Sequence, residues 1–173
     1  MFDHEFIKLL TAAMAAKEAA TEELQASDGS RYRIEANPGP RIRRRLVPLG
    51  PAPIDLQVIV WEPGPDRPTD FPQDAPFLPD AEIVTMRAAK RAMKVTFCTP
   101  IGDLDSAVQD ILVQGRRAGW TDGGAIPGMP GLLPTRHQQQ RGELDRTVAA
   151  MTFQQHRMVF VLEMTRLSTT PAA

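Results

Sequence analysis

The 173-residue chain is 42% hydrophobic and 24% charged, with a net charge of −1 and 16 prolines. These values fit a folded core and exclude wholesale disorder or a fibrous repeat. No apolar run approaches the ~20 residues of a membrane-spanning helix, and the acids Asp3, Glu5, Glu18, Glu22 and Glu23 are foreign to a secretory leader. No membrane insertion and a cytoplasmic location are therefore expected.

In chain order, Phe2, Phe6, Leu9, Leu10, Ala13, Ala20 and Leu24 recur at helical spacing, which predicts a long amphipathic helix over residues 1–27 ended by Gly29. Tyr32 and Ile34 then alternate with Arg31, Arg33 and Glu35. Asn37-Pro38-Gly39-Pro40 supplies a turn centred on Pro38 and Gly39, and Ile42 and Leu46 follow among Arg41, Arg43, Arg44 and Arg45. This is an arginine-rich hairpin. Residues 54–61 read as a strand. Six prolines between Pro63 and Asp80 break any helical or strand period, and Phe71, Phe77 and Leu78 give that stretch the apolar anchors of a strap across the surface.

Residues 82–88 and 92–98 read as two strands. A helix with Asp103 as N-cap buries Ala107, Val108, Ile111 and Leu112 and stops at Gly119, leaving Trp120 to fold back on the helix or sheet. Residues 122–134, with four glycines and three prolines, are expected to form an irregular loop. Residues 144–153 and 157–167 form a final antiparallel pair whose last strand, apolar on both sides, belongs in the middle of a sheet. The expected fold class is α+β: a mainly antiparallel sheet with a long N-terminal helix, a second helix packed on it and a proline-rich connecting strap. A single domain covers residues 1–173. It comprises the helix, hairpin and strand of 1–62, the strap of 63–80, a strand-strand-helix-strand-strand unit over 81–167, and a loose tail at 168–173.

Signals for chemistry are sparse. Cys98 excludes an intramolecular disulfide and shares a strand face with Lys94, but no Cys-His signature accompanies it. His4, His137 and His156 lack metal-ligand spacing, and capping explains Asp103 and Asp105 beside Asp110. The Gly123–Gly131 segment follows a helix and lacks lysine, so it is no phosphate loop. The apolar Ile126, Met129, Leu132 and Leu133 in and after it suit partner binding or self-association, and equally suit packing within the chain. The strongest signal is the net +5 over residues 31–47, from six arginines and Glu35, against −3 over residues 1–27, from two lysines and five acids. Arg31, Arg33, Arg41, Arg43, Arg44 and Arg45 are the candidate contacts for a polyanion or partner, because guanidinium binds phosphate and carboxylate through two donors.

The first functional expectation is a non-enzymatic interaction or assembly module, binding another protein or a second copy through its helix, its glycine-proline loop or a sheet edge. Nucleic-acid or other polyanion binding through the arginine hairpin is the alternative. Enzyme activity comes third, with no catalytic residue, metal or cofactor implied.

Overall fold

A computed structural model describes residues 22–25, 29–50, 56–88, 92–100, 104–130, 132–153 and 157–166. The described residues form ten strands and one helix. The strands are β1 (Glu22–Gln25), β2 (Arg31–Gly39), β3 (Ile42–Pro48), β4 (Leu56–Trp61), β5 (Glu82–Ala88), β6 (Ala92–Pro100), β7 (Thr121–Ile126), β8 (Arg136–Arg141), β9 (Leu144–Phe153) and β10 (Arg157–Arg166); α1 spans Leu104–Arg117.

All ten strands join one antiparallel sheet in the order β1-β2-β3-β4-β5-β6-β10-β9-β8-β7. The chain meanders from β1 to β6, crosses over through α1, and returns by a second meander whose last strand closes on β6. β10 therefore lies inside the sheet, between β6 and β9.

This corrects the expected fold class. Among the described residues the protein is mostly antiparallel sheet with a single short helix, not an α+β fold built on two. The predicted N-terminal helix falls outside the described residues as far as residue 21. Its last turn is strand: Glu22, Glu23, Leu24 and Gln25 pair in register with Ile34, Arg33, Tyr32 and Arg31. Helical spacing is a local preference, and the ladder offered by β2, together with a 2.7 Å ion pair from Arg31 to Glu23, overrides it at this edge.

The hairpin turn also lies two residues later than expected. Gly39 pairs with Ile42, so Pro40 and Arg41 form the two-residue loop, with Arg41 at φ 62°. Proline's fixed φ followed by a positive φ is the sign pattern of a type II turn. An irregularity between Ala36 and Gly39, with Asn37 at φ 48°, absorbs Pro38, which has no N–H to give the ladder.

Both faces of the early strands are apolar and buried. On the face that carries α1 lie Ile42, Ile59, Trp61, Ile83, Met93, Val95 and Phe97, continued on β9 by Leu144, Val148 and Ala150. Val108, Ile111 and Leu112 of α1 cover one end. Phe71, Ala75, Phe77 and Leu78 of the β4–β5 connection cover the other. Tyr32, Ile34, Leu46, Val58, Val60, Val84 and Met86 form a second buried set on the opposite face.

The β4–β5 connection is closed at its base by the Asp80 N–H donating to the Gly64 carbonyl at 2.9 Å. Phe71 meets Trp61 at 5.2 Å between ring centres, and Phe77 meets Phe71 edge-on at 5.8 Å. The Gln114 side chain ties the segment to α1 in both directions: its Oε1 accepts from the Phe77 N–H at 2.9 Å, and its Nε2 donates to the Phe77 carbonyl at 2.7 Å. Such paired bonds satisfy backbone groups that a loop buried under a helix would otherwise leave without partners.

Gly119 at φ 91° ends α1 in a Schellman motif, with the Gly119 N–H donating to the Arg116 carbonyl and the Trp120 N–H to the Gly115 carbonyl. This reversal drives Trp120 back into the core. No helix among the described residues is long and apolar enough to cross a membrane.

Candidate functional site

The six arginines do not converge. Register places Arg31, Arg33 and Arg45 on the α1-bearing face, with Glu35 directly opposite Arg45. Arg45 bonds Glu35 at 2.7 Å and Arg43 bonds Glu82 at 3.0 Å. Arg41, in the turn, donates to the Asp66 carbonyl at 2.8 Å and lies against Gly64, where an added Cβ would stand 2.7 Å from the guanidinium carbon. Arg44, opposite Val60 on the other face, is buried and engaged. The exposed Arg33 side chain has no hydrogen-bond or ion partner among the described residues.

Most of the charge run is thus engaged within the chain, with Arg31–Glu23 and Arg45–Glu35 as cross-strand pairs that hold strands together by a few tenths to ~1 kcal/mol each. Arg45→Glu sets like charges opposite one another at Glu35 and is expected to cost ~1 kcal/mol. Arg33→Gln, which places no carboxylate opposite Glu23, is expected to stay within ~0.5 kcal/mol of the parent. Thermal denaturation of the two variants distinguishes them.

The remaining expected chemistry stays dispersed. Cys98 is half-buried in β6, in register with Glu82 and Val159. Asp105 and Asp110 lie exposed on α1, and Asp103, His4 and His156 lie outside the described residues. Among the described residues no three His, Cys, Asp or Glu side chains gather as a metal site.

The other end of the sheet is built differently. The loop expected over residues 122–134 begins instead as strand: Thr121–Ile126 form β7, and Arg136–Arg141 form β8 beside it. Behind them is a buried polar network. Arg146, 3% exposed, donates from Nε to Gln139 Oε1 at 2.8 Å and from Nη2 to the same oxygen, with a 3.4 Å contact to the Ile111 carbonyl. Gln139, fully buried, donates to the Leu112 carbonyl at 3.1 Å and to Asp122 Oδ1 at 2.8 Å. Arg116 closes the chain on Asp122 Oδ2 at 2.8 Å.

Trp120 stacks under both Arg146 and Arg141, at 4.5 and 4.8 Å from the guanidinium carbons to the ring centre. Burial, with repulsion from Arg141, pushes the Arg146 guanidinium down to about 10 against the opposing pull of Asp122. Hydrogen bonds from Gln139 and Arg116 lower the Asp122 carboxyl below its ordinary value. Gly115 on α1 leaves room for this network, since a side chain there would run into Arg146 and Gln139. The network's effect is mechanical: it fastens α1 to β7, β8 and β9.

What it fastens is a sheet edge. Among the described residues β7 is the terminal strand, and all six of its residues are exposed. An outer strand presents backbone N–H and C=O groups to any strand that approaches, and proteins commonly guard such edges with lysine, proline or inward charge. Thr121–Ile126 has no lysine or proline, and its one charge, Asp122, is tied to Gln139 and Arg116.

Beyond β7 the chain turns tightly. Met129 bridges Leu133, the Leu132 and Leu133 N–H groups both donate to the Met129 carbonyl at 3.0 and 2.9 Å, and Gly128 sits too close to Pro134 and Thr135 to admit a side chain. This ordered turn leaves Ile126 40%, Met129 57%, Leu132 74% and Leu133 61% exposed, the exposed large hydrophobics of the described surface. These four apolar side chains all belong to one short segment of the chain, residues 126–133. The same edge carries a polar depression of about 210 Å³ lined by Gly123, Gln138, Gln139, Gln140, Asp145, Arg146 and Thr147.

Comparison with family models, curated proteins and solved structures finds no match.

The apolar loop residues are visible in the sequence, but the edge beside them is not. Thr-Asp-Gly-Gly-Ala-Ile and Arg-His-Gln-Gln-Gln-Arg carry no hydrophobic alternation, and only pairing to β9 makes them strands.

Proposed function

We propose that this protein is a non-enzymatic interaction or assembly module that binds through the β7 edge and the apolar turn after it. The observation that carries this reading is the coincidence of an unguarded edge strand with Ile126, Met129, Leu132 and Leu133 on its flank. Strand addition supplies backbone hydrogen bonds, and the apolar turn supplies surface whose burial is worth ~1.5–3 kcal/mol per large side chain. Polyanion binding through the arginine hairpin has weaker support, because most of its arginines already face a carboxylate or carbonyl of this chain.

The test is recovery of the tagged full-length chain from its native cells beside the double variant Leu132→Asp, Leu133→Asp. The wild type is expected to carry a stoichiometric protein component, a second copy or another chain, and the variant to lose it without losing its fold. Absence of any such component, or retention by the variant, overturns the reading. A salt-sensitive retention on heparin that Arg33→Glu abolishes would transfer it to the polyanion alternative.

A further inference from the structure

We infer that the partner at this edge is a second copy of the chain, joined β7 to β7 in antiparallel register about Gly123 and Gly124. The inference rests on the reading of this edge as an association surface and specifies its occupant. Two copies paired this way are related by a two-fold axis perpendicular to the sheet, so residues brought opposite one another must lie on the same face of their own strand.

A regular strand fails this condition about a point between two residues, because faces alternate with period 2. β7 meets it because it is irregular between Asp122 and Gly124. Pairing with β8 puts Asp122 opposite Gln139 and Ala125 opposite His137, on the α1-bearing face; Thr121 opposite Gln140 and Ile126 opposite Arg136 lie on the other face. The extra residue, Gly123, restores the parity. Thr121 of one copy then meets Ile126 of the other, Asp122 meets Ala125, and the two glycines meet each other.

This register opposes no like charges directly and puts no bulky side chain at the axis. The other outer strand differs: self-pairing of β1 would gather Glu22 and Glu23 of both copies on one short ribbon. Past Ile126, the turn carrying Met129, Leu132 and Leu133 extends towards the partner's exposed Ala118 and Gly119, which are small enough to admit apolar side chains. The product is one sheet continuous through both copies, with both edge strands β7 removed from water.

The register is tested by charge. Light scattering of the purified full-length chain over a concentration series is expected to give twice the 19.1 kDa chain mass. Ala125→Glu sets a carboxylate opposite the partner's Asp122 and is expected to weaken the dimer tenfold or more. Ala125→Lys offers that Asp122 a cation and is expected to keep it. In a Cys98→Ser background, Thr121→Cys with Ile126→Cys is expected to oxidise to a covalent dimer, and neither cysteine alone to do so.

A 19.1 kDa mass at every concentration, equal effects of the two Ala125 variants, or no crosslink overturns self-pairing. A monomeric chain that still recovers a different protein, lost with Leu132→Asp and Leu133→Asp, leaves the wider reading standing. A monomeric chain that recovers nothing removes both.

Discussion

Gln139→Leu is expected to destabilise the protein by ~3 kcal/mol, although leucine nearly matches the volume it replaces. The loss is polar rather than steric. Gln139 accepts from Nε and Nη2 of Arg146 while donating to the Leu112 carbonyl and to Asp122. Without it a guanidinium buried to 3% exposure keeps the Trp120 face and a long contact to the Ile111 carbonyl, but no side-chain acceptor among the described residues. Breaking a buried polar arrangement on one side leaves the desolvated charge behind, whereas replacing both sides by apolar groups removes it. Gln139→Leu combined with Arg146→Met is therefore expected to regain most of the loss. Urea unfolding of the two single variants and the double variant measures this. A cost below ~1 kcal/mol, or a double variant no better than Gln139→Leu, would show that the network does not hold this end of the sheet. Because Gln139 donates directly to Asp122 of β7, faster amide exchange over residues 121–126 should accompany the loss.

Trp61→Ala is expected to cost ~4 kcal/mol, at the upper end for core truncations, because the indole is nearly fully buried and is shared by two layers. It packs in the face that carries α1, meets Phe71 of the β4–β5 connection at 5.2 Å, and donates from Nε1 to Thr85 Oγ1 at 3.0 Å. Trp61→Phe keeps most of the apolar contact and loses the hydrogen bond, so ~1–2 kcal/mol is expected. The connection itself is braced by Arg67, stacked 5.2 Å from the Phe71 ring centre and bonded to the Pro72 and Ala75 carbonyls. Losing the Trp61 platform should therefore expose residues 63–80 to proteolysis under conditions where the sheet persists. Equal protection of that segment in Trp61→Ala and the parent would contradict the anchoring.

The two ends of the sheet illustrate different ways of managing an outer strand. At β1–β3, arginine and glutamate alternate across neighbouring strands and satisfy one another, leaving a charged surface around a ladder. At β7, glycines replace charge, and the one acid is turned back onto the helix and the next strand. Under the proposed function, this ladder without charged guards is where a strand would add, beside the exposed apolar turn.

Much of the central sheet is legible in the sequence. Met93, Val95 and Phe97 alternate with Lys94, Thr96 and Cys98, and β6 follows that pattern, with the first set buried and the second half-buried. Glu82–Ala88 and the stop of α1 at Gly119 are equally visible, because β-alternation and a left-handed glycine are local properties of the chain. Residues 22–25 are misread for the complementary reason: Leu24 fits a helical stripe, but the N–H and C=O groups of β2 are a longer-range alternative that periodicity does not register. The turn at Pro40-Arg41 is displaced because cross-strand register, not the stronger Pro-Gly signal, sets where the hairpin closes.

The apolar groups of the candidate surface, Ile126, Met129, Leu132 and Leu133, can be identified from the sequence as a cluster in a glycine-proline segment. Their exposure, and the edge strand beside them, depend on tertiary structure. Gly123 and Gly124 have no pattern of their own and become strand only when β8 pairs with β9. The arginines show the converse. Six cations in a short span are evident at once, yet their availability is decided by Glu35, Glu82 and the Asp66 carbonyl, brought opposite them by strand register and by the returning connection. Composition and alternation determine what each segment buries; which polar groups are satisfied within the chain, and which strand is left at the edge of the described sheet, is set by pairing between residues far apart in sequence.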